Sequence, residues 1–310
     1  MSTSGCDKLE KENPSERDSR CYFNDDMNHE TKIQNHDYYI KLTPDATTWT
    51  KLDLSVTGFV HEYFGHFDPD EVIPKIMKKR EYKFDPTYRY YQMSAEAIKK
   101  QWDDLGKEAS NLGSIMHLNI EKHYNEHPYE DDSPEFKMFL QFAQDYKHLK
   151  PFRTEMIVFS EYYMLAGSID MIFEDQEGNL LVYDWKRSKE FKYENRWQKG
   201  NSILSYLDDC NITHYTLQLN AYKFFIEKYY HRKVTDMCLV RCHPNLETYD
   251  RVPVPNMQKE IHMMLDEREI LLYPHKEKEI RERQRLQKLA DCIKDTPMDD
   301  DSDDDPLKDL

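Results

Sequence analysis

The sequence predicts an α/β fold, in which a central mixed β-sheet is flanked by helices and follows an N-terminal helical region. Two observations indicate it. A segment with helical apolar periodicity precedes several short apolar runs separated by turn residues, and helix and strand signals then alternate towards the C-terminus. With 310 residues and 38% apolar content, the chain can bury a sizeable core, and we expect one large domain with tails.

Helix signals precede the predicted sheet. Ser94 can cap a helix whose apolar spacing continues to about Asn125, with a bend or division expected at residues 111–113, which include a glycine. A second helix begins near Pro134, because proline suits the first helical position, and its apolar residues extend to Leu149. Both helices are expected to pack on the sheet.

The sheet itself is predicted from runs of apolar and β-branched residues. Residues 175–179 form a turn between two of them, which makes these two runs a hairpin. Pro274 interrupts the later helical pattern, and a charged helix resumes after it. The predicted strands are 154–164, 166–173, 180–187, 234–241 and 249–254, and the later helices are 213–230 and 257–272.

Composition divides the chain into four parts. Residues 1–45 are polar and are expected to be a disordered tail, and residues 46–273 form the main domain. A charged C-terminal helix is expected at 274–294, followed by an acidic disordered tail at 295–310. We find no internal repeat.

The net charge of -16 is unevenly placed. Residues 295–310 hold eight acids and one lysine, whereas residues 75–100 hold eight bases and three acids, and residues 186–200 hold six bases and two acids. Affinity for nucleic acid depends on such local fields more than on the total charge. The acidic composition therefore does not exclude a polyanionic partner.

The chain carries no sign of membrane insertion or export. No apolar stretch approaches the ~18 residues that a bilayer span needs, and the first residues show neither a signal peptide nor an arginine-rich presequence. We expect a cytoplasmic or nuclear protein, not a secreted one, or one in the host cytoplasm if it is viral. The six cysteines lack paired CxxC spacing, so buried free thiols are favoured over a metal or iron–sulfur role.

Two acids and a lysine lie in the predicted hairpin. Side chains alternate along a strand, so Asp184 and Lys186 share one face, and the hairpin brings Asp170 beside Asp184. Two carboxylates with neighbouring carbonyls are what Mg²⁺ or Mn²⁺ needs, and a nearby lysine can orient a nucleophilic water or meet a phosphate. The pattern predicts the outline of a phosphodiesterase site.

Two further polar pairs have helical i,i+4 spacing. His117 and Glu121 share one helix face, which is weak by itself because a solvated pair has the same spacing. Gln218 and Tyr222 share a face of a helix in which apolar residues occupy most of the other positions. They either serve a site or satisfy the polar backbone of a loop.

Five motifs follow one another along the chain: Gly113-x-x-x-His117-x-x-x-Glu121, Glu155, Gly167-x-x-Asp170, Asp184-x-Lys186 and Gln218-x-x-x-Tyr222. Together, in this order, they resemble the PD-(D/E)xK nuclease superfamily. The similarity is to the branch with the RecB nuclease domain and lambda-type exonucleases, and it covers about residues 50–270. The segment from Ser55 to Phe64 is similar to one in nuclease proteins of large DNA viruses. Ile169 replaces the proline of the family name, but this branch commonly has Gly-x-x-Asp.

The resemblance implies a restriction-endonuclease-like core that holds one or two Mg²⁺ or Mn²⁺ ions. It implies that Lys186 positions or activates the attacking water and that Glu155 assists the site. The implied metal ligands are His117, Asp170, Asp184 and the carbonyl of Trp185. Gln218 and Tyr222 would brace the site and contact the nucleic-acid strand.

Cationic residues predict where a strand could run. In residues 75–100 the cationic residues are interleaved with tyrosines. This pattern indicates either a path for a single nucleic-acid strand or, equally, a charged helix followed by a segment whose tyrosines pack. The loop at residues 186–199 could hold phosphates beside the cut, with Trp197 as a stacking residue or a core anchor. The residues expected to bind nucleic acid, besides Gln218 and Tyr222, are Ser55, Thr57, Lys79, Arg80, Arg89, Arg187, Lys189, Lys192 and Arg196.

The function expected from these residues is that of a metal-dependent DNA nuclease, in particular an exonuclease on single strands or ends in replication, repair or recombination. Its partners would be DNA and replication or repair proteins, and its oligomeric state is left open. One alternative is an RNA endonuclease of the cap-snatching kind, and another is a nucleic-acid-binding protein that has lost catalysis. Intact Asp170, Asp184 and Lys186 weigh against the last.

Overall fold

The computed structural model describes residues 8–24 and 37–294. The expectations for residues 1–7 and 25–36 and for the acidic tail at 295–310 lie outside the described residues. The chain divides into two compact units, Met1–Ile261 and His262–Leu310.

A five-stranded mixed sheet forms the centre of the first unit, and the α/β prediction is confirmed. Its strand order follows the sequence, with β6 and β7 parallel and the other neighbours antiparallel. The parallel pair is made possible by the crossover helix α7, Asn211–Tyr229. The strands are β4 Lys150–Ser160, β5 Leu165–Glu174, β6 Leu180–Lys186, β7 Val234–Arg241 and β8 Asp250–Pro253.

Helices α5 and α6 cover one face of this sheet. Aromatic side chains of α6 (Pro134–Asp145) and apolar ones of α5 (Ala95–Tyr124) form a single buried cluster with Tyr183 and Trp185 of β6. Because side chains alternate along the strand, Asp184 and Lys186 point to the opposite face, as the sequence predicts.

Two predicted helix limits are wrong. Helix α5 continues through Gly113 without the expected division, because the apolar period is kept on both sides. A helical glycine costs only about 1 kcal/mol relative to alanine. Helix α6 ends at Asp145, before the predicted Leu149, and a turn follows that is closed by a hydrogen bond from Leu149 N to Tyr146 O.

The prediction of a disordered tail at residues 1–45 is wrong for its described part, which packs on the main domain. Its apolar residues are few but buried, among them Leu9 at 4% and Ile40 at 0% exposure. Arg153 of β4 donates to Asp18 at 2.9 Å, and Leu9 N donates to Asn125 Oδ1 at 3.0 Å. The elements are α1 Lys8–Glu12, then β1 Cys21–Asn24, β2 Asp37–Ile40 and β3 Thr50–Lys51, which form an antiparallel sheet.

The remaining helices of the first unit lie before α5. They are α2 Val56–His61, α3 Pro69–Met77 and α4 Arg80–Phe84. The cysteines at 21, 210, 238 and 242 are free thiols, as expected, and the last three of them are buried.

The second unit begins within α8, Gln258–Leu272. After a 3-10 turn at Pro274–Lys276, α9 spans Glu277–Lys294, so a charged helix does follow Pro274. Arg283 of α9 pairs with Asp266 and Glu269 of α8 at 2.5 and 3.1 Å. None of the helices in residues 8–24 and 37–294 is long and apolar enough to cross a membrane.

Candidate metal and nucleic-acid site

Three carboxylates lie in one row across the sheet. The residues on either side of Glu155 in β4 pair with those on either side of Asp170 in β5, and Met171 of β5 pairs with Tyr183 of β6, next to Asp184. Asp170 Oδ2 accepts a hydrogen bond from the backbone N–H of Trp185 at 2.9 Å, which holds it against β6. Glu155 has φ 45°, a backbone conformation rarely adopted outside glycine, and this kind of strain is concentrated at functional sites.

His117 reaches this row from α5. Its Nε2 lies 2.9 Å from the carbonyl oxygen of Trp185, and its Nδ1 lies 3.5 Å from Asp170 Oδ2. Because a carbonyl can only accept, Nε2 is the donor of this hydrogen bond, and Nδ1 is the nitrogen that faces Asp170. Ligand atoms of His117, Glu155 and Asp170 all lie within 4.8 Å of one another.

The grouping differs in part from the sequence expectation. His117 and Asp170 come together as expected, but Glu155 joins them more closely than Asp184 does. The carbonyl of Trp185 is the acceptor for His117 rather than a free oxygen. Lys186 Nζ lies 2.7 Å from Asp184 Oδ2, and no other described donor reaches that buried oxygen.

Burial dominates the electrostatics of the row. It raises the pKa of Glu155 to about 8, helped by the charge of Asp170, although Ser168 Oγ donates to Glu155 Oε2 at 2.8 Å and opposes the shift. Burial likewise raises the pKa of Asp184 to about 7, against the opposing charge of Lys186. The folded protein thus concentrates carboxylates without enough positive charge to neutralise them.

Lys186 stays protonated in this setting. Burial alone would lower its pKa, but the charges of Asp184 and Asp170 outweigh burial and raise it. Its ammonium also lies 4.6 Å from the ring centre of Tyr215 on α7, a cation–π contact. Lys186 therefore acts as a fixed cation rather than as a base.

The donor set suits a hard divalent cation. Carboxylate oxygens with one imidazole nitrogen are ligands for Mg²⁺ or Mn²⁺, with the imidazole favouring Mn²⁺. The buried Asp184 oxygen, with Lys186 as its single described partner, offers a further lone pair on the same row.

Residues of α2 and α7 brace the site beside the row. Gln218 Nε2 donates to Thr57 Oγ1 at 2.9 Å and to the Tyr222 hydroxyl at 3.1 Å. A Cβ on Gly167 would lie 2.7 Å from Tyr222 Cε1, so glycine is needed for Tyr222 to pack there. Ser55 caps α2 by accepting from Gly58 N at 3.0 Å.

This brace corrects part of the predicted nucleic-acid contacts. Tyr222 is only 3% exposed, so it supports the site and does not touch a strand. The hydroxyl of Ser55 is engaged in capping. Thr57 and Gln218 remain where a strand could reach them.

The cations after β6 divide into two kinds. Arg187 Nε donates to buried Glu135 Oε1 at 2.5 Å, and the Arg187 side chain is 12% exposed, so the prediction that it binds phosphates is not supported. Lys189, Lys192 and Arg196 are exposed. Their positions allow the predicted role.

The basic zone of residues 75–100 lies along the first half of α5. Trp102 Nε1 donates to the Tyr90 hydroxyl at 2.8 Å, and Tyr82 donates to Met93 O at 2.8 Å, so these tyrosines pack. Lys79, Arg80 and Arg89 remain exposed. Trp102 and His117 are fifteen residues apart, or about 22 Å along the helix, so this zone is remote from the carboxylate row.

Sequence reasoning missed three residues at the site: Tyr38, Ser168 and Tyr215. Tyr38 of β2 is buried, accepts from the Ser168 backbone N–H, and has its pKa raised by burial and by the charge of Glu155. The short apolar run Tyr38-Tyr39-Ile40 is the strand signal in an otherwise polar segment. Tyr215 lies three residues before Gln218, on the same helix face.

No protein-family model matches this chain, and the comparison with curated proteins finds no relative. Among solved structures, that of the protein SSO0001 is similar, with 14% sequence identity, coverage of 71% of this chain and 75% of that one, and a TM-score of 0.30. A TM-score this low supports no inference about function.

Proposed function

We propose that this chain is a divalent-metal-dependent nuclease of the PD-(D/E)xK kind, which hydrolyses phosphodiester bonds of DNA in the cytoplasm or nucleus, or in the host cytoplasm if it is viral. The observation that carries the proposal is the row of Glu155, Asp170 and Asp184 on three neighbouring strands, with Lys186 at one end. A purely structural row would be neutralised by cations of the protein, as buried Glu135 and Glu269 are. The row is instead completed by an imidazole, which is a metal ligand.

The proposed ion would be held by Asp170 and Glu155, with His117 through Nδ1 and Asp184 as a further donor. When bound, Mg²⁺ or Mn²⁺ lowers the pKa of a bound water and neutralises charge that develops on the phosphate. This chemistry needs no cysteine ligands, and the free thiols of the chain are consistent with that.

Lys186 would hold the phosphate and the attacking water in place. Its ammonium group contacts Asp184 and the ring of Tyr215, so the positive charge is held at one position. Because the pKa of Lys186 is raised by Asp184 despite burial, the ammonium donates hydrogen bonds and does not remove the proton from water. Substrate orientation is thus the proposed role of this residue.

A substrate strand would meet the site at its rim. Thr57 and Gln218 stand on one side, and exposed Lys192 and Arg196 stand in the loop that follows Lys186. We propose action on single strands or strand ends as an exonuclease, because exposed aromatic side chains accompany the exposed cations of this loop. Replication, repair or recombination would supply such ends.

The test is a cleavage assay. Purified protein is incubated with labelled single- and double-stranded DNA and RNA in Mg²⁺, Mn²⁺ or EDTA, beside Asp170→Asn and the control Asp236→Asn. Asp236 lies on β7 and pairs with Arg251 at 2.8 Å, away from the row. We expect metal-dependent DNA cleavage by wild type and Asp236→Asn but not by Asp170→Asn.

Other outcomes select other functions. Cleavage of RNA alone would favour the cap-snatching kind of endonuclease. Binding without cleavage in every metal would favour a protein that has lost catalysis, and cleavage that survives Asp170→Asn would contradict the proposed site.

A further inference from the structure

Trp197 is the most exposed of the large apolar side chains in the described residues. It is 92% exposed, whereas Trp185 is 1% exposed in the core. Neighbouring Tyr193 is 59% exposed. Trp197 is therefore not an anchor to the core, and an indole with both faces in water is costly unless it meets a partner.

The backbone under Trp197 is nevertheless held firmly. Asn195 Oδ1 accepts from the backbone N–H of Trp197 at 3.1 Å and from that of Gln198 at 3.2 Å, and its Nδ2 donates to Asp209 O at 2.7 Å. Lys199 pairs with Asp208 through a backbone bridge and an ion pair. The loop is thus preorganised to present a bare ring, which lowers the entropic cost of binding.

The backbone at Gly200 and that at Leu204 approach closely and close this loop. A Cβ on Gly200 would lie 2.5 Å from the carbonyl oxygen of Leu204, so only glycine fits there. Gly200 N also donates to Leu207 O at 3.0 Å. The conformation that exposes Trp197 is therefore specified by Gly200 as well as by Asn195.

Both ends of the loop are tied to the carboxylate site. Its N-terminal end follows Lys186 directly, and Lys192 N donates to Asn211 Oδ1 at the start of α7, the helix that carries Tyr215 and Gln218. Lys189, Lys192 and Arg196, on the same stretch as Trp197, are exposed cations without an ion pair among the described residues. An exposed aromatic ring on the same loop as unpaired cations fits a nucleic-acid strand better than an apolar peptide.

We propose that Trp197 stacks on an unpaired nucleobase of the substrate strand while Lys192 and Arg196 meet its phosphates. In a duplex both faces of an internal base are covered by its neighbours, so an isolated indole can stack only on a terminal or unpaired base. This inference rests on the proposed nuclease function and deepens it, since it makes single-stranded DNA or an overhang the substrate class.

The test measures binding in EDTA, which separates it from cleavage. Anisotropy of labelled oligonucleotides is compared for wild type, Trp197→Ala, Trp197→Phe and the control Leu271→Ala, another exposed apolar residue, at 69% exposure, that is not among the proposed site residues. Stacking on one base is worth about 5- to 150-fold in affinity. We expect Trp197→Ala to weaken single-strand binding by about that factor, Trp197→Phe to weaken it less, and Leu271→Ala to change nothing.

Abasic oligonucleotides make the test specific. One abasic position is moved along the strand, and at the stacked register we expect wild-type affinity to fall to that of Trp197→Ala, while blunt duplex binding is the same for both proteins. Equal single-strand affinity of wild type and Trp197→Ala would overturn the inference and leave the nuclease proposal standing. A penalty that persists on blunt duplex and at every abasic register would overturn stacking. If wild type binds no oligonucleotide, the inference falls together with the function beneath it.

Discussion

Glu155 and Glu161 lie six residues apart, Glu155 within β4 and Glu161 just after it, and the two carboxylates have opposite electrostatic surroundings. Glu161 receives Arg17 at 2.8 Å and also pairs with Arg20, both from the N-terminal segment. Glu155 faces Asp170 and has a single neutral donor, Ser168, among its described hydrogen bonds. Both carboxylates are at least half-buried, so the difference lies in their partners.

The pKa shifts show the consequence. Burial alone would raise the pKa of Glu161, but the hydrogen bond from Arg17 and the charges of Arg17 and Arg20 outweigh it, and the pKa is lowered. Burial raises the pKa of Glu155 to about 8 because no cation opposes it. A buried acid that comes with its own arginines is held ionised and stabilises the fold, whereas the acids of the row keep raised pKa values, and we propose that a divalent cation binds there.

The strongest way to break this comparison is to remove a member of the row. We predict that Asp184→Asn and Lys186→Ala each lower the cleavage rate by at least about 1,000-fold while the protein stays folded, because the row supplies charge only to the transition state. Single-turnover cleavage and circular dichroism measure the two effects. The control is Glu161→Gln, which should cleave at the parent rate at temperatures where it is folded.

A smaller effect is expected at the imidazole. We predict that His117→Ala weakens Mn²⁺ activation more than Mg²⁺ activation, by about 10- to 100-fold, because the nitrogen ligand is lost and the carboxylates remain. Activity is measured against the concentration of each metal. If the dependence of activity on metal concentration is the same as in the parent protein, His117 is not a metal ligand and only forms the hydrogen bond to Trp185.

Stability tests the arginine-paired region. We predict that Glu161→Gln lowers the free energy of unfolding by about 1–3 kcal/mol at pH 7, because Arg17 and Arg20 lose their charged partner. The folded pKa of Glu161 is below its ordinary value of 4.5, so this contribution is present above pH 4.5 and is lost as the pH falls through the folded pKa. Denaturant unfolding at pH 7 and at pH 3 measures it, and a difference that persists at pH 3 would contradict the charge argument.

The row should show the opposite pH dependence. The pKa of Glu155 rises from 4.5 to about 8 on folding, so the metal-free protein loses stability as the pH increases between these values. We predict that Glu155→Gln stabilises the metal-free protein by about 1 kcal/mol or more at pH 8.5 and has little effect at pH 4. Thermal melts in EDTA across this pH range measure the difference. Melting temperatures that change with pH in the same way for parent and variant would refute the prediction.

Much of this arrangement could be predicted from local patterns. The period-2 alternation of β6 places Asp184 and Lys186 on one face, and the turn at 175–179 brings Asp170 to β6, both as expected. Local periodicity determines such facts, because they need only a strand and a hairpin. The strand 234–241 is also found where the sequence predicts it.

What could not be predicted depends on contacts between distant segments. Arg187 carries the same charge as Lys189, and only the tertiary structure shows that it pairs with Glu135, 52 residues earlier. The N-terminal segment has a polar composition, yet Leu9 and Tyr38 are buried because the main domain provides a surface for them. A few apolar residues are enough for a polar segment to pack on the main domain, and the average composition of the segment does not show them.

The central claim is that the carboxylate row is a divalent-cation site, and a calorimetric titration with Mn²⁺ at pH 7.5 tests it most directly. Wild type and Glu161→Gln, which removes an arginine-paired acid of similar burial, should bind Mn²⁺ with the same stoichiometry and affinity. Asp170→Asn, at the centre of the row, should lose binding. Binding that is unchanged in Asp170→Asn, or absent from the wild type, would contradict the account.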